Sequence, residues 1–353
     1  MELRDSPRGE QVRLAIILLA TVCLASLALA VLARVTPVLP RHVAREVIRH
    51  RVKNGMYLFD NGYLDAGDYV LLGQIPNDDY SRGGVYFIGA SETLTGFMPQ
   101  ILTAEERRWI HNYAIGDLRV AEARHFLRML VTECGLLKAG GEKTTVILGL
   151  SYPMGRRRDF DHPLHRYVMD LFQRHRLYTY DRNGGAVHVA PISGVERFLR
   201  IEHDRVHRFV QVVFRPPSHI VLTDQPDKRG HLESIMGPRW KQEMREGVEE
   251  LGRLIDDLQR QGVHVRAVLP PNGSWQHALP FDAAYRAMVL PELERRGVPV
   301  ADQGSMLADE EFGDAVHARY RGHLKLHRLN LELALRSLDE MGIAAEGRPR
   351  IAH

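Results

Sequence analysis

Between Leu14 and Ala33 the chain carries no charged side chain, only Leu, Ala, Ile, Val, Thr, Ser and Cys. Twenty such residues at ~1.5 Å rise per residue reach ~30 Å, the thickness of a bilayer's hydrocarbon core. A helix that is apolar all round has to leave water, either for a membrane or for a large core. Arg13 and Arg34 bracket the run, and no comparable stretch follows. A cleaved signal peptide or a buried helix would satisfy the same pattern, and Ala28 and Ala30 resemble a cleavage site. The run is nevertheless longer than the ~7–15-residue apolar core of a signal peptide. An uncleaved anchor over residues 14–33 is therefore expected. It follows a short tail (1–13) and precedes a juxtamembrane segment that leads into the soluble part (34–80). Arg4, Arg8 and Arg13 precede the span, whereas Arg34, Arg41, Arg45, Arg49, Arg51 and Lys53 follow it. On these counts the positive-inside rule places the downstream part in the cytoplasm.

The remainder is long enough for one large domain. With 44% hydrophobic and 26% charged residues it can build an ordinary core. A net charge of +3, from 47 basic and 44 acidic residues, does not call for nucleic acid. Cys23 lies in the apolar span and leaves Cys134 alone downstream, so no intramolecular disulfide is expected there.

Apolar β-rich runs alternate with helical patterns. Arg41 to Lys53 has helical spacing. Val85 to Ile88, Thr144 to Leu150, Phe209 to Phe214, Val263 to Leu269 and Val298 to Ala301 read as strands. Leu118 to Thr132, Pro163 to Arg174, Arg239 to Gln261, Phe281 to Arg295 and Leu324 to Leu338 read as helices. Asn183-Gly184-Gly185 signals a hairpin within 177–190, and Pro216 to Pro238 reads as a surface loop. Such alternation predicts an α/β domain with a mostly parallel sheet covered on both faces.

Two segments could carry chemistry. In Phe87-Ile88-Gly89-Ala90-Ser91-Glu92-Thr93 a buried strand runs into a turn of small residues bearing a serine. Ligands of open α/β sheets bind beyond the carboxyl ends of strands. Gly89 and Ala90 would let a substrate approach, and Ser91 N–H would face a developing oxyanion. The bland alternative is a serine that caps a helix. In Phe312-Gly313-Asp314-Ala315-Val316-His317 an aspartate stands three residues before a histidine, just ahead of the last helix. Serine is a weak nucleophile until a base takes its proton, and a carboxylate fixes the tautomer of that base. With 18 histidines in the chain, an accidental Asp–His pair in a surface loop is the alternative.

Together, a serine after the first strand and Asp-x-x-His before the last helix resemble the SGNH hydrolase superfamily. That likeness implies an SGNH/flavodoxin-like three-layer domain over residues 81–345. It implies Ser91, Asp314 and His317 as the catalytic triad, and Ser91 and Gly116 as oxyanion donors with Ser151 as the nearest polar residue at the third position. Within the superfamily the chain most resembles the DltD family, membrane-anchored proteins of D-alanyl transfer to envelope polymers. Four pieces carry this likeness: Gly89-Ala90-Ser91-Glu92; Val146-Ile147-Leu148 running into Ser151-Tyr152-Pro153; Leu269-Pro270-Pro271-Asn272 with Trp275; and Val300-Ala301-Asp302 leading to Asp314 and His317. It spans most of the soluble region at sparse identity.

The likeness implies the outer face of the bacterial cytoplasmic membrane, with the tail 1–13 in the cytoplasm. The implied partners are a membrane-bound O-acyltransferase and an envelope polysaccharide or teichoic-acid-like polymer, and no cofactor is required. The chain departs from the family at Ala90, where a second serine is usual, and at the absent third-block asparagine. Thr93 breaks the Gly-x-Ser-x-Gly elbow of α/β-hydrolases. In alginate-acetylation relatives the Asp-x-His pair precedes the serine, which disfavours that branch. A free-standing esterase or thioesterase and a non-catalytic accessory protein remain as rivals.

Other features have weaker chemical readings. Arg156 and Arg157 could meet an anionic polymer or lie in a solvated loop, and Trp275 could wall a substrate site or sit in the core. His203 and His207 stand four apart like a zincin pair, but Asp204 occupies the place of the glutamate. Asp161, His162 and His165 fit a helix start at Pro163. No metal is expected at either cluster.

Overall fold

A computed structural model describes residues 7–35, 78–97, 101–132, 134–156 and 227–343, together with 178–180, 186–188 and positions 75, 195 and 199. The expectations for Arg41 to Lys53, Pro163 to Arg174, Phe209 to Phe214, Arg157 and both histidine clusters fall outside these residues.

Helix α1 runs Pro7–Val35. Its stretch Gly9–Leu29 is long and apolar enough to cross a membrane, and none of it is buried against the rest of the chain.

Among the described residues after α1, five parallel strands form the central sheet: β1 (Gly84–Gly89), β2 (Ile110–Asn112), β3 (Thr144–Gly149), β6 (His264–Leu269) and β7 (Val300–Asp302). They lie in the order β2-β1-β3-β6-β7. Renumbered within the sheet this is 2-1-3-4-5, a common doubly wound order whose ligands bind between the first and third strands. Strands β4 (Tyr178–Tyr180) and β5 (Ala186–His188) form a separate antiparallel pair flanking the expected hairpin turn.

Alternation of side chains divides the core into two layers. Tyr86 and Ile88 of β1, Val146 and Leu148 of β3, and Val265, Ala267 and Leu269 of β6 enter one apolar cluster. Val85, Phe87, Ile147 and Val268 enter the other. This is the period-2 consequence of strands buried on both faces. Helices α3 (Val120–Thr132), α5 (Trp240–Gln259) and α7 (Pro280–Arg295) cover the first face. The second is covered by α8 (Tyr320–Glu340), through Leu333, Ala334 and Leu338.

Two readings change. The segment Pro216 to Pro238 is not all loop, because Lys228–Met236 forms α4, opened by Asp227, whose carboxylate accepts from Gly230 N at 2.8 Å. Strand β2 was not expected at all.

Candidate active site

Strand β1 ends at Gly89 and the chain turns directly into α2 (Ser91–Gly96). The helix sits almost on the strand ends. A Cβ on Gly89 would lie 2.2 Å from Thr93 Oγ1, and one on Gly149, the neighbouring end of β3, would lie 1.8 Å away. Both positions therefore require glycine. The close approach that Gly89 permits is that of Thr93 rather than of a substrate, which corrects the reading of Gly89 above. The N-cap is Ala90 and Ser91 is the first helical residue, so its hydroxyl is not spent on capping. Ser91 Oγ donates to Glu92 Oε2 at 3.3 Å, a long bond that exchanges easily.

The Asp314–His317 pair is fully formed. His317 Nδ1 and Asp314 Oδ2 are 2.7 Å apart, and Asp314 Oδ1 accepts from the amides of Val316 (2.9 Å) and His317 (2.7 Å). Burial works against the Asp314 charge. The His317 hydrogen bond and charge, with the two amides, overcome it and hold the carboxyl down at about 2. Burial likewise disfavours the imidazolium, but Asp314 and the charge of Glu92 outweigh it and raise the His317 pKa.

The surrounding loop is stapled. Gly313 N donates to His317 O at 2.8 Å, and Phe312 bridges to Ala318. Trp275 Nε1 donates to Ala315 O at 2.9 Å while its ring meets Phe312 edge-on. Trp275 thus braces the loop that carries Asp314 and His317, and Lys228 Nζ lies over its ring, 3.9 Å from the ring centre.

Ser91 follows the carboxyl end of β1, and the Asp314–His317 pair lies in the segment between β7 and α8. The field of Glu92, next to Ser91, reaches His317. His323, which binds the Thr95 carbonyl of α2, is close enough to feel His317. Ser91 and His317 are not hydrogen-bonded to each other in this arrangement, as is common before substrate binds.

Gly116 follows β2 in a loop tied to the turn before Ser91 by Ile115 N donating to Gly89 O (3.0 Å). A Cβ there would meet nothing within 4 Å, so the loop opens onto space. The sharp turn is completed by Asp117 at φ 56°, a left-handed conformation that Asp tolerates better than most residues. Buried Arg119 joins this loop to the next through Asp117 (2.8 Å) and the Pro153 carbonyl.

Ser151 stands just beyond β3 and is buried, and among the described residues its hydroxyl has no hydrogen-bond partner. It lines a cavity of ≈ 10 Å³ with Asn272, Asp282 and Tyr285. A different cavity, of ≈ 20 Å³, lies beside α2 against Glu92, Thr93, Gly96, Pro270 and Asn330. Arg156 does not reach toward a ligand. It is paired with buried Glu243, 3.3 Å away.

Sequence reasoning missed the polar side chains that hold α2. Asn112, His323 and Asn330 are buried and bond its carbonyls. The stripe of α8 that faces the sheet is marked by Leu326, Leu333, Ala334 and Leu338, and it also contains His323, His327 and Asn330. Polar residues on an otherwise apolar stripe were the available signal.

No family model matches the chain, and no curated protein matches it either.

Proposed function

We propose that this chain is a membrane-anchored serine acyltransferase or esterase of the SGNH type, with a layout similar to the DltD family. The observation that carries the reading is the tight Asp314–His317 pair, which feels the charge of Glu92 on the short helix whose first residue is Ser91.

In this mechanism His317 Nε2 takes the Ser91 proton as Oγ attacks an acyl carbonyl carbon. Asp314 holds Nδ1–H and stabilises the imidazolium that forms. The N–H groups of Ser91 and Gly116 would stabilise the oxyanion, with Ser151 at the third position. Collapse of the tetrahedral intermediate breaks the bond to the leaving group, which leaves with the proton from His317. A hydroxyl of an envelope polymer, or water, then attacks the acyl-serine. His317 takes its proton and returns it to Ser91 Oγ. The acyl group is D-alanyl or acetyl-like, the donor comes by way of a membrane-bound O-acyltransferase, and no cofactor takes part. The domain stands on the outer face of a bacterial cytoplasmic membrane.

A non-catalytic accessory role is favoured by one observation, the Ser91 hydrogen bond to Glu92 instead of His317. Labelling separates the two. A fluorophosphonate probe should modify wild-type Ser91 covalently, because an unactivated serine does not react at neutral pH. Ser91→Ala should abolish labelling and remain folded. His317→Ala should slow it by orders of magnitude, and Asp314→Asn by a large but smaller factor. An unlabelled wild type, with envelope acylation intact in a Ser91→Ala strain, would leave the accessory reading.

A further inference from the structure

Helix α2 has six residues, far below the length at which a helix holds itself together in water. Its last carbonyls have no intrahelical donors. Three buried side chains from two other elements supply them. Asn112 Nδ2, from β2, donates to Phe97 O at 2.9 Å and Leu94 O at 3.2 Å, while its Oδ1 accepts from Ala114 N at 3.1 Å. Asn330 Nδ2, from α8, donates to Gly96 O at 2.8 Å, and its Oδ1 accepts from Gln303 Nε2 at 2.8 Å. His323, also from α8, meets Thr95 O through Nδ1. A carbonyl can only accept, so Nδ1 carries the hydrogen. Burial pushes the His323 pKa down to about 3 and keeps the ring neutral.

These donors stand 15 positions (Asn112 to Phe97) to 234 positions (Asn330 to Gly96) from the carbonyls they bind, and each amide is itself oriented by a second bond. At the other end of the helix, Thr93 is seated in the space left by Gly89 and Gly149.

We infer that Asn112, His323 and Asn330 are positioning residues that clamp the nucleophile helix, fixing where Ser91 stands relative to the Asp314–His317 pair. The inference rests on the catalytic reading of Ser91. The clamp acts on the backbone of α2 and touches neither substrate nor the reacting atoms. Its loss therefore lowers the rate at which bound probe reacts and leaves probe binding unchanged. His323 is bonded to α2 and within the field of His317, so its substitution bears on their separation most directly.

The test is fluorophosphonate labelling of the full-length protein in detergent, with the maximal labelling rate and the half-saturating probe concentration measured separately. Asn330→Leu and His323→Phe should each reduce the maximal rate at least tenfold per folded molecule, with half-saturation within twofold of wild type. His323→Asn, which keeps a donor, should recover part of the loss. Leu254→Ala, which removes packing between α3 and α5 away from the site, serves as the destabilised control and should label at the wild-type rate. If Asn330→Leu does not fold, Gln303→Leu reads the same relay one residue further out. Wild-type rates in the folded clamp variants, or equal slowing in Leu254→Ala, would overturn the clamp while leaving the catalytic reading in place. An unlabelled wild type would remove both.

Discussion

His317 is pulled in two directions, and the balance sets the pH at which the proposed site can work. Burial favours the neutral ring, whereas the Asp314 bond and the charges of Asp314 and Glu92 favour the imidazolium and prevail. Its basic form therefore appears only as pH rises through a value above the ordinary ~6.5. Labelling of Ser91 should rise along that limb. Among the described residues, the charged or titratable groups that act on the ring are Asp314 on its own loop, Glu92 on α2 and His323 on α8, and burial keeps His323 neutral. Glu92→Gln removes one attraction for the proton, so the limb should move to lower pH with labelling retained. A rate–pH profile that does not move would show that Glu92 does not tune the base. Stability runs the other way. The raised histidine contributes fully below its unfolded value and the contribution fades as pH rises through the folded one. The depressed Asp314 contributes above ~3.9 and is lost as pH falls toward about 2. At this scale the sequence was informative about the pair itself, because three-residue spacing lets an aspartate reach a histidine within one loop. For Arg156 it offered an anionic polymer or a solvated loop and missed the ion pair, since its partner Glu243 lies 87 positions away.

The elements were legible where burial leaves a long pattern. Strands β1, β3 and β6 are apolar runs, and the apolar positions of α5 and α8 recur at helical spacing. Strand β2 was missed because its three residues, Ile110-His111-Asn112, carry no period, and it exists by pairing with β1. Helix α4 was missed because the Pro- and Gly-rich flanks of Pro216 to Pro238 mask a nine-residue pattern. The contact between α2 and the sheet was equally invisible, because it joins Thr93 to a glycine 56 positions further on. That contact makes a prediction at this scale. Gly149→Ala would place a methyl group 1.8 Å from Thr93 Oγ1 and 2.8 Å from Thr93 Cβ. Overpacking of this kind typically costs ~1–3 kcal/mol. If the clash with Thr93 is the cause, Thr93→Gly should relieve part of it. The double variant, followed by thermal unfolding, should then lose clearly less stability than the two single losses added together. Strict additivity would place the strain elsewhere.

For the whole molecule, α1 and the sheet make opposite demands on the solvent. Helix α1 exposes Leu14, Ile16, Leu18, Leu19, Leu24 and Leu27 by more than half, whereas the sheet carries its own core on both faces. Among the described residues, none of the buried core clusters includes a residue of α1. Deleting residues 1–35 should therefore move the protein to the soluble fraction with Ser91 still able to label, and loss of labelling with loss of the anchor would show that the anchor supports the fold. The side of the membrane is set by two opposing arguments. Six basic residues follow the span and three precede it, which by charge retains the domain in the cytoplasm. The proposed acceptor, an envelope polymer, lies across the membrane from there. An alkaline phosphatase fused after His353 needs export to become active, and a green fluorescent protein exported by the same general route does not fluoresce. The proposed function requires an active phosphatase and a dark fluorescent fusion. The reverse pair of results would place Ser91 away from any envelope polymer, and the reaction would then have to be an esterase or thioesterase acting on a cytoplasmic acyl ester.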